Sequence, residues 1–386
     1  MKKRLLRNVR PVSAGRDDAA VDILIDSLGV IEAVSPTPMR EAAGGDVEVV
    51  DLRGAYVSRG WVDLHTHIYY GATDISIRPS QCGMVRGVTT LVDAGSSGEA
   101  NFEGFREYIA GGAAESIYAF LNIGSIGLTA CNRVSELRGI EDIDVDRVLA
   151  TAESHPDLIR GIKVRASHVI LGGWGMTPVR VAKKVARILR RPLMVHIGES
   201  PPTLDEVLAS LDPGDIVTHC FNGKRGGNIL DDETILGSVR KALSNGILFD
   251  IGHGGASFSF DVGKRAFDLG ILPFSISTDL HQHSIHGPVF DLPTTMSKMM
   301  AIGLSLQQVI ECVTDHPATA LGLKEPPGDF LETGQGADLT VFEVEEFDGD
   351  AVDSQGARLK IPRMISPRLA VRGSLAVKAS RNSPAD

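Results

Sequence analysis

The chain has little of what marks several classes of protein. Its four cysteines, Cys82, Cys131, Cys220 and Cys312, are scattered and form no C-x-x-C pair. That excludes a disulfide-stapled scaffold and a cysteine-built zinc finger, and it leaves free thiols in a reducing compartment as the expectation. Only Cys220, directly after His219, stands where a chemical role is conceivable. Positive charge is also short: 39 Lys and Arg against 49 Asp and Glu give a net charge of -10, which argues against nucleic acid or an anionic membrane as the main partner. No apolar run approaches the roughly 20 residues of a membrane span. Met1-Lys2-Lys3-Arg4 is not followed by an apolar signal segment, so a cytoplasmic location is expected. No internal repeat or low-complexity segment stands out.

The 386 residues, 43% of them hydrophobic, suffice for one large barrel and a smaller domain. Short apolar or alternating runs at 5–9, 21–25 and 30–34 read as strands, and the same signal returns at 336–342 and 370–373. Both termini are therefore expected to build one small β-sandwich domain, from 1–54 and 331–377. Between them, over 55–330, strand candidates at 61–65, 89–94, 117–123, 159–164, 192–197, 215–220, 247–252 and 273–278 alternate with helical stretches such as 178–190, 231–244 and 259–268. These runs are rich in Val, Ile and Leu, as strands buried on both faces are. The expected fold class is α/β, a (β/α)8 TIM barrel. A doubly wound sheet would alternate similarly, but only a ring gathers polar residues from strands one, four, five, six and eight. The polar tail 378–386 reads as frayed.

Six polar residues close these strand candidates: His65 and His67, Lys163, His196, His219 and Asp279. Side chains two apart on a strand point the same way, so His65 and His67 can face one point. An H-x-H alone is often incidental, and His196 or His219 alone could be a core histidine. Together at strand ends they suit a metal site. Lys163, after Gly161-Ile162, would bury a charge at substantial cost and would be repelled by divalent ions. Reaction with carbon dioxide removes both problems: the carbamate is an anion whose two oxygens can bridge two metals. The other reading is an unmodified lysine paired with a substrate anion. Asp279 can bind a metal and accept a proton; otherwise it would cap a helix.

In order, strand position and residue type this set resembles the amidohydrolase superfamily of metallo-dependent hydrolases in its binuclear, carbamylated-lysine form. The resemblance implies that His65, His67 and Asp279 hold one divalent ion, that His196 and His219 hold the other, and that carbamylated Lys163 bridges them with a hydroxide. It implies attack of that hydroxide on a polarised carbonyl, with Asp279 as the catalytic proton carrier. Zinc suits the histidine-rich set, although manganese, iron or cobalt would also bind.

Within the superfamily the chain first looks like a dihydroorotase, but the Arg that reads the dihydroorotate carboxylate is replaced by Tyr69. The stretches Gly161-Ile162-Lys163-Val164-Arg165-Ala166-Ser167, Val217-Thr218-His219-Cys220-Phe221-Asn222-Gly223 and Ser277-Thr278-Asp279-Leu280-His281 look more like a dihydroorotase-like deacetylase subgroup. That resemblance implies a small acetylated carboxylic acid as substrate, an O-acetyl hydroxy acid or an N-acetyl amino acid. Arg165, on the same side of its strand as Lys163, is the candidate for the substrate carboxylate; the alternative is an ion pair within the rim. His253, Tyr70 and Asn222 are further pocket candidates. His281, His283 and His286 suggest a loop over the pocket rather than a second metal site. The alternatives are a cyclic-amide hydrolase or isoaspartyl dipeptidase with the same metals, and a non-catalytic scaffold on this fold. Homo-oligomerisation stays open.

Overall fold

The computed structural model describes residues 2–12, 19–36, 38–39, 47–323 and 330–382. Five strands open the chain: β1 (Lys3–Pro11), β2 (Val21–Ile25), β3 (Ile31–Ser35), β4 (Val47–Asp51) and β5 (Tyr56–Arg59). Seven follow: β6 (Trp61–Thr66), β7 (Val88–Ala94), β8 (Ser116–Asn122), β9 (Ile159–Ala166), β10 (Leu193–Ile197), β11 (Ile216–Thr218) and β12 (Leu248–Asp250). Three close the chain: β13 (Asp338–Val352), β14 (Arg358–Arg372) and β15 (Leu375–Lys378).

Strands β6 to β12 lie side by side in chain order, every pair parallel. All residues of β6 and β7 are buried, including the polar Asp63, His65, Thr66, Thr89, Thr90 and Asp93. On one face Val62, Leu64, Val92, Ala94, Phe120, Met194 and Ile216 form a core of their own. The connecting helices pack into a second, larger core. The helix Thr177–Leu189 is typical: Pro178 sits in its first turn, Val179, Ala182, Val185 and Ala186 are buried, and Arg190 ends it in the left-handed region.

Among the described residues seven strands, not eight, make this sheet. The expected strand at 273–278 forms only single bridges, Ser275 to Asp250 and Leu280 to Thr66. Yet it bonds to both sheet edges. Ile251 N donates to Ser275 O at 3.0 Å on the β12 side, and Asp279 N donates to His65 O at 2.7 Å on the β6 side. Its Ser275, Ser277 and Thr278 side chains bond to Asp250 and Asp63, and this polar anchoring replaces a regular ladder.

Both termini do share a sheet, a mixed eight-stranded one running β15-β14-β13-β5-β1-β2-β3 with β4 on β1. The reason lies at Asn8, whose φ of 60° and register shift let β1 change partners. Residues 3–7 pair with β4, and Arg10 and Pro11 pair with β5. Leu6, Ile23 and Ile31 from one end of the chain pack with Leu339, Val341 and Val371 from the other. The hairpin β13–β14 outruns this sheet, and its Ala351, Ile361, Met364 and Ile365 join the larger core around β6 to β12. The tail was expected to fray from Lys378, but through Asn382 it is tied down. Ser380 N donates to Val85 O at 3.0 Å, and Asn382 Nδ2 donates to Ile285 O at 2.7 Å.

Candidate metal centre

The six residues meet at the C-terminal side of the parallel sheet, Asp279 coming from the segment that bridges its two edges rather than from a strand. The rings of His65 and His67 lie 5.4 Å apart, those of His65 and His219 5.1 Å, and those of His196 and His219 4.4 Å. Asp279 Oδ1 stands 3.3 Å from His65 Nε2 and 3.0 Å from His67 Nε2. Among the described residues, His65, His67 and Asp279 are the group of potential ligand atoms lying within 4.8 Å of one another. Lys163 Nζ is 3.3 Å from His65 Nε2 and rests on the core through Met194 Sδ at 3.4 Å. Gly95 makes room for it, since a Cβ there would fall 2.7 Å from Lys163 Cγ. Both His219 (φ 71°) and Asp279 (φ 49°) sit in the left-handed region, a strain that functional sites tolerate when their surroundings hold them.

The neighbours dictate the imidazole tautomers. The single hydroxyl hydrogen of Thr218 goes to Asp250 Oδ2 at 2.7 Å, so Thr218 Oγ1 accepts from His65 Nδ1 at 3.0 Å. His219 Nδ1 donates to Gly252 O at 2.6 Å. Each therefore presents a bare Nε2. That of His65 faces the Asp279 carboxylate, two acceptors at 3.3 Å, with the Lys163 amine at the same distance, and that of His219 is buried with no hydrogen-bond partner. A cation between such groups resolves both conflicts, so the donor set fits a metal ion. Burial lowers the pKa of His65 and His196 well below the usual value and that of His219 to about 4. Burial opposes ionisation of Asp279, but the imidazoles of His65, His67 and His219 outweigh it and hold the group well below the usual carboxylate range. Lys163, a fully buried side chain, is lowered by burial to about 7.

The substrate candidates fare differently. Arg165 is bound on two sides to buried Glu136, at 2.7 and 2.5 Å. It therefore makes the rim ion pair that was its alternative reading. Tyr70 is not brought to the centre: it is exposed, lies under the Arg78 guanidinium at 3.8 Å, and lines a groove with Tyr108 and Val377. Asn222 spends both amide hydrogens on the carbonyls of His219 and Gly227. The two ring nitrogens of His253 are engaged by Gly254 O and by Lys298 Nζ, at 2.9 Å each. Tyr69 turns into the core, where its hydroxyl donates to Asn101 O at 2.7 Å. Cys220 is buried and its thiol is pushed well above the usual value, so it carries no thiolate. In the 281–286 loop His281 Nδ1 accepts from His283 N, and His283 Nε2 pairs with Asn132.

Sequence reasoning missed Asp63, Ser96, Thr218, Asp250 and Lys224. Asp63 accepts from Thr278 Oγ1 at 2.6 Å and so places Asp279. Ser96 Oγ is 2.9 Å from His67 Nδ1. The available signal was a polar residue inside an apolar strand, which burial makes costly unless it has a partner. Lys224 Nζ lies 2.7 Å from Glu199 Oε1. Burial alone would raise the Glu199 carboxyl, but hydrogen bonds from Lys224 and Ser167 lower it to about 2.

A parallel sheet that gathers histidines and an aspartate at its strand ends belongs to the metal-dependent hydrolases. No protein-family model matches the chain. A deacetylase of Brucella anthropi is 54% identical over 385 residues, 99% of this chain and 94% of that one. A deacetylase of Agrobacterium fabrum is 53% identical, covering 98% and 93%. Among solved structures, one titled as a dihydroorotase superposes with a TM-score of 0.95 at 52% identity over the whole of both chains. One titled as an adenine deaminase reaches 0.87 at 34%, covering 98% of this chain and all of that one. The chain belongs to the amidohydrolase superfamily, with these deacetylases as its relatives, and it is a hydrolase.

Proposed function

We propose that this hydrolase removes the acetyl group from small acetylated carboxylic acids, O-acetyl hydroxy acids or N-acetyl amino acids. The observation that carries the reading is Tyr69, buried and bonded to Asn101 where a dihydroorotase would read its substrate with arginine. The two bacterial deacetylases to which the chain is similar support it.

In this reading His65, His67 and Asp279 would hold one divalent ion and His196 and His219 the other, with zinc the ion that suits the set. Lys163, as a neutral amine, adds to carbon dioxide and loses one proton, and the resulting carbamate would bridge the pair. Bound ions of this kind acidify water and polarise a carbonyl. The protein's own residues do the rest. Asp279 is a carboxylate at neutral pH, so it accepts the proton of the attacking water and returns it to the departing alkoxide or amine. The hydrogen bonds of Thr218 to His65, of Ser96 to His67 and of Gly252 to His219 keep the imidazoles aimed as this chemistry proceeds.

Acetate release by zinc-loaded protein, from O-acetyl hydroxy acids and from N-acetyl amino acids of both hands, tests the reading. Dihydroorotate is the control. A second reading, cyclic-amide hydrolysis, is favoured by the likeness to the structure titled as a dihydroorotase. Ring opening of dihydroorotate without acetate from the panel would decide for it.

A further inference from the structure

Two cations flank the ligand group, and they are not equivalent. Arg165 is bound through two nitrogens to Glu136, a carboxylate only 1% exposed. Withdrawing Arg165 towards a substrate would leave Glu136 buried and unpaired. Among the described residues Lys224 has one carboxylate partner, Glu199, which is 35% exposed and also receives the Ser167 hydroxyl. Glu199 therefore stays solvated if the ammonium turns to another anion, and two of the ammonium's three hydrogens are not used by Glu199.

The backbone of Lys224 is fixed. Its N–H donates to Asn222 Oδ1 at 2.8 Å, and its carbonyl accepts from Asn228 Nδ2 at 3.0 Å. The ammonium is thus held at the exit of β11, beside the centre. Gly198, one residue past β10, supplies the space. A Cβ on Gly198 would lie 3.1 Å from Lys224 Nζ and 3.7 Å from His196 Nε2. The ammonium and the ligand nitrogen thus border one position that only glycine leaves open.

We propose that Lys224 binds the carboxylate of the substrate, with the anion seated over Gly198 between the Lys224 ammonium and His196. The inference rests on the deacetylase reading. In an O-acetyl 2-hydroxy acid or an N-acetyl amino acid, three bonds separate the acetyl carbonyl carbon from the carboxylate carbon. The anion must then bind directly beside the group that handles the acetyl carbonyl, and the position over Gly198 is such a place. A lysine there selects for charge and a glycine for access, so Lys224 and Gly198 together define an α-carboxylate subsite.

The test uses zinc-loaded full-length protein and lactate as the probe anion, with binding followed by calorimetry. Turnover is compared between O-acetyl-lactate and its neutral methyl amide. Lys224→Gln is expected to weaken lactate binding at least tenfold and to lower kcat/KM for the free acid about a hundredfold. The neutral amide should change less than threefold, metal content should be unchanged, and Lys224→Arg should recover part of the loss. Gly198→Ala is expected to reproduce the loss with the lysine in place. Equal losses on acid and amide, lactate binding that Lys224→Gln leaves intact, or no lactate binding by the unaltered protein would overturn the assignment. If the unaltered protein releases no acetate yet binds lactate through Lys224, the deacetylase reading fails and the anion site stands.

Discussion

His219 donates its Nδ1 hydrogen to the carbonyl of Gly252 at 2.6 Å, and this bond leaves its Nε2 bare and buried, with the His65 and His196 rings beside it. Gly252 is required there, since a Cβ on it would press on the Thr218 hydroxyl and stand 2.8 Å from His219 Nδ1. Gly252→Ala should therefore lower metal affinity without unfolding the chain. Metal titration followed by circular dichroism checks this, and unchanged affinity would remove the positioning role of Gly252.

Thr218 relays the same kind of constraint from Asp250 to His65. Thr218→Val keeps the shape and deletes the hydroxyl, freeing the His65 tautomer. Metal affinity should fall about 10- to 100-fold. Competition with a chelator of known affinity measures it, and Thr218→Ser should restore most of the loss.

Lys163→Ala should reduce metal content and activity together, with partial rescue by a short carboxylic acid in place of the carbamate. Full activity of this variant would end the bridging assignment.

The Lys163 amine, lowered by burial to about 7, gives a pH dependence whose sign can be worked out. Only the neutral amine reacts with carbon dioxide, so at fixed dissolved CO2 the carbamylation rate of metal-free protein should rise through about pH 7 and then level. In the same uncarbamylated protein the folded state binds fewer protons than the unfolded one between about 7 and 10.5, so stability rises with pH across that window. The rate is followed with 13C-labelled CO2 by NMR. A rise delayed to the ordinary lysine range would contradict the burial effect.

Arg165→Gln strips the partner from buried Glu136 and should cost about 3–5 kcal/mol. Arg165→Met combined with Glu136→Leu should recover much of that loss. Chemical denaturation of the three proteins distinguishes this from a substrate role, which the double substitution would not restore.

Much of the protein was legible from residue order. Runs of Val, Ile and Leu ending in His, Lys or Asp marked both the strands and the polar residues that meet beside them, because a parallel strand buried on both faces is rich in apolar residues and sites gather at the C-terminal ends of such strands. Seven of the eight strand candidates became strands, and the four histidines, Lys163 and Asp279 converged. The eighth candidate carries Asp279 on hydroxyl-to-carboxylate anchors instead of a ladder, which strand periodicity does not reveal.

Sequence by itself determined the alternation of elements, the shared sheet of the two termini and the six polar residues that the fold brings together, since each depends on local pattern and residue chemistry. Only the tertiary structure decided which cation is committed and which is available. Arg165 and Lys224 look alike as isolated residues, and their difference lies in Glu136 and Glu199, remote in sequence and unequal in burial. It also decided that Tyr70 faces away, that Asn222 and His253 are spent on their surroundings, and that Asn8 lets β1 join two parts of a sheet. Partnership and burial belong to the folded chain, because they depend on which distant residues share one small volume.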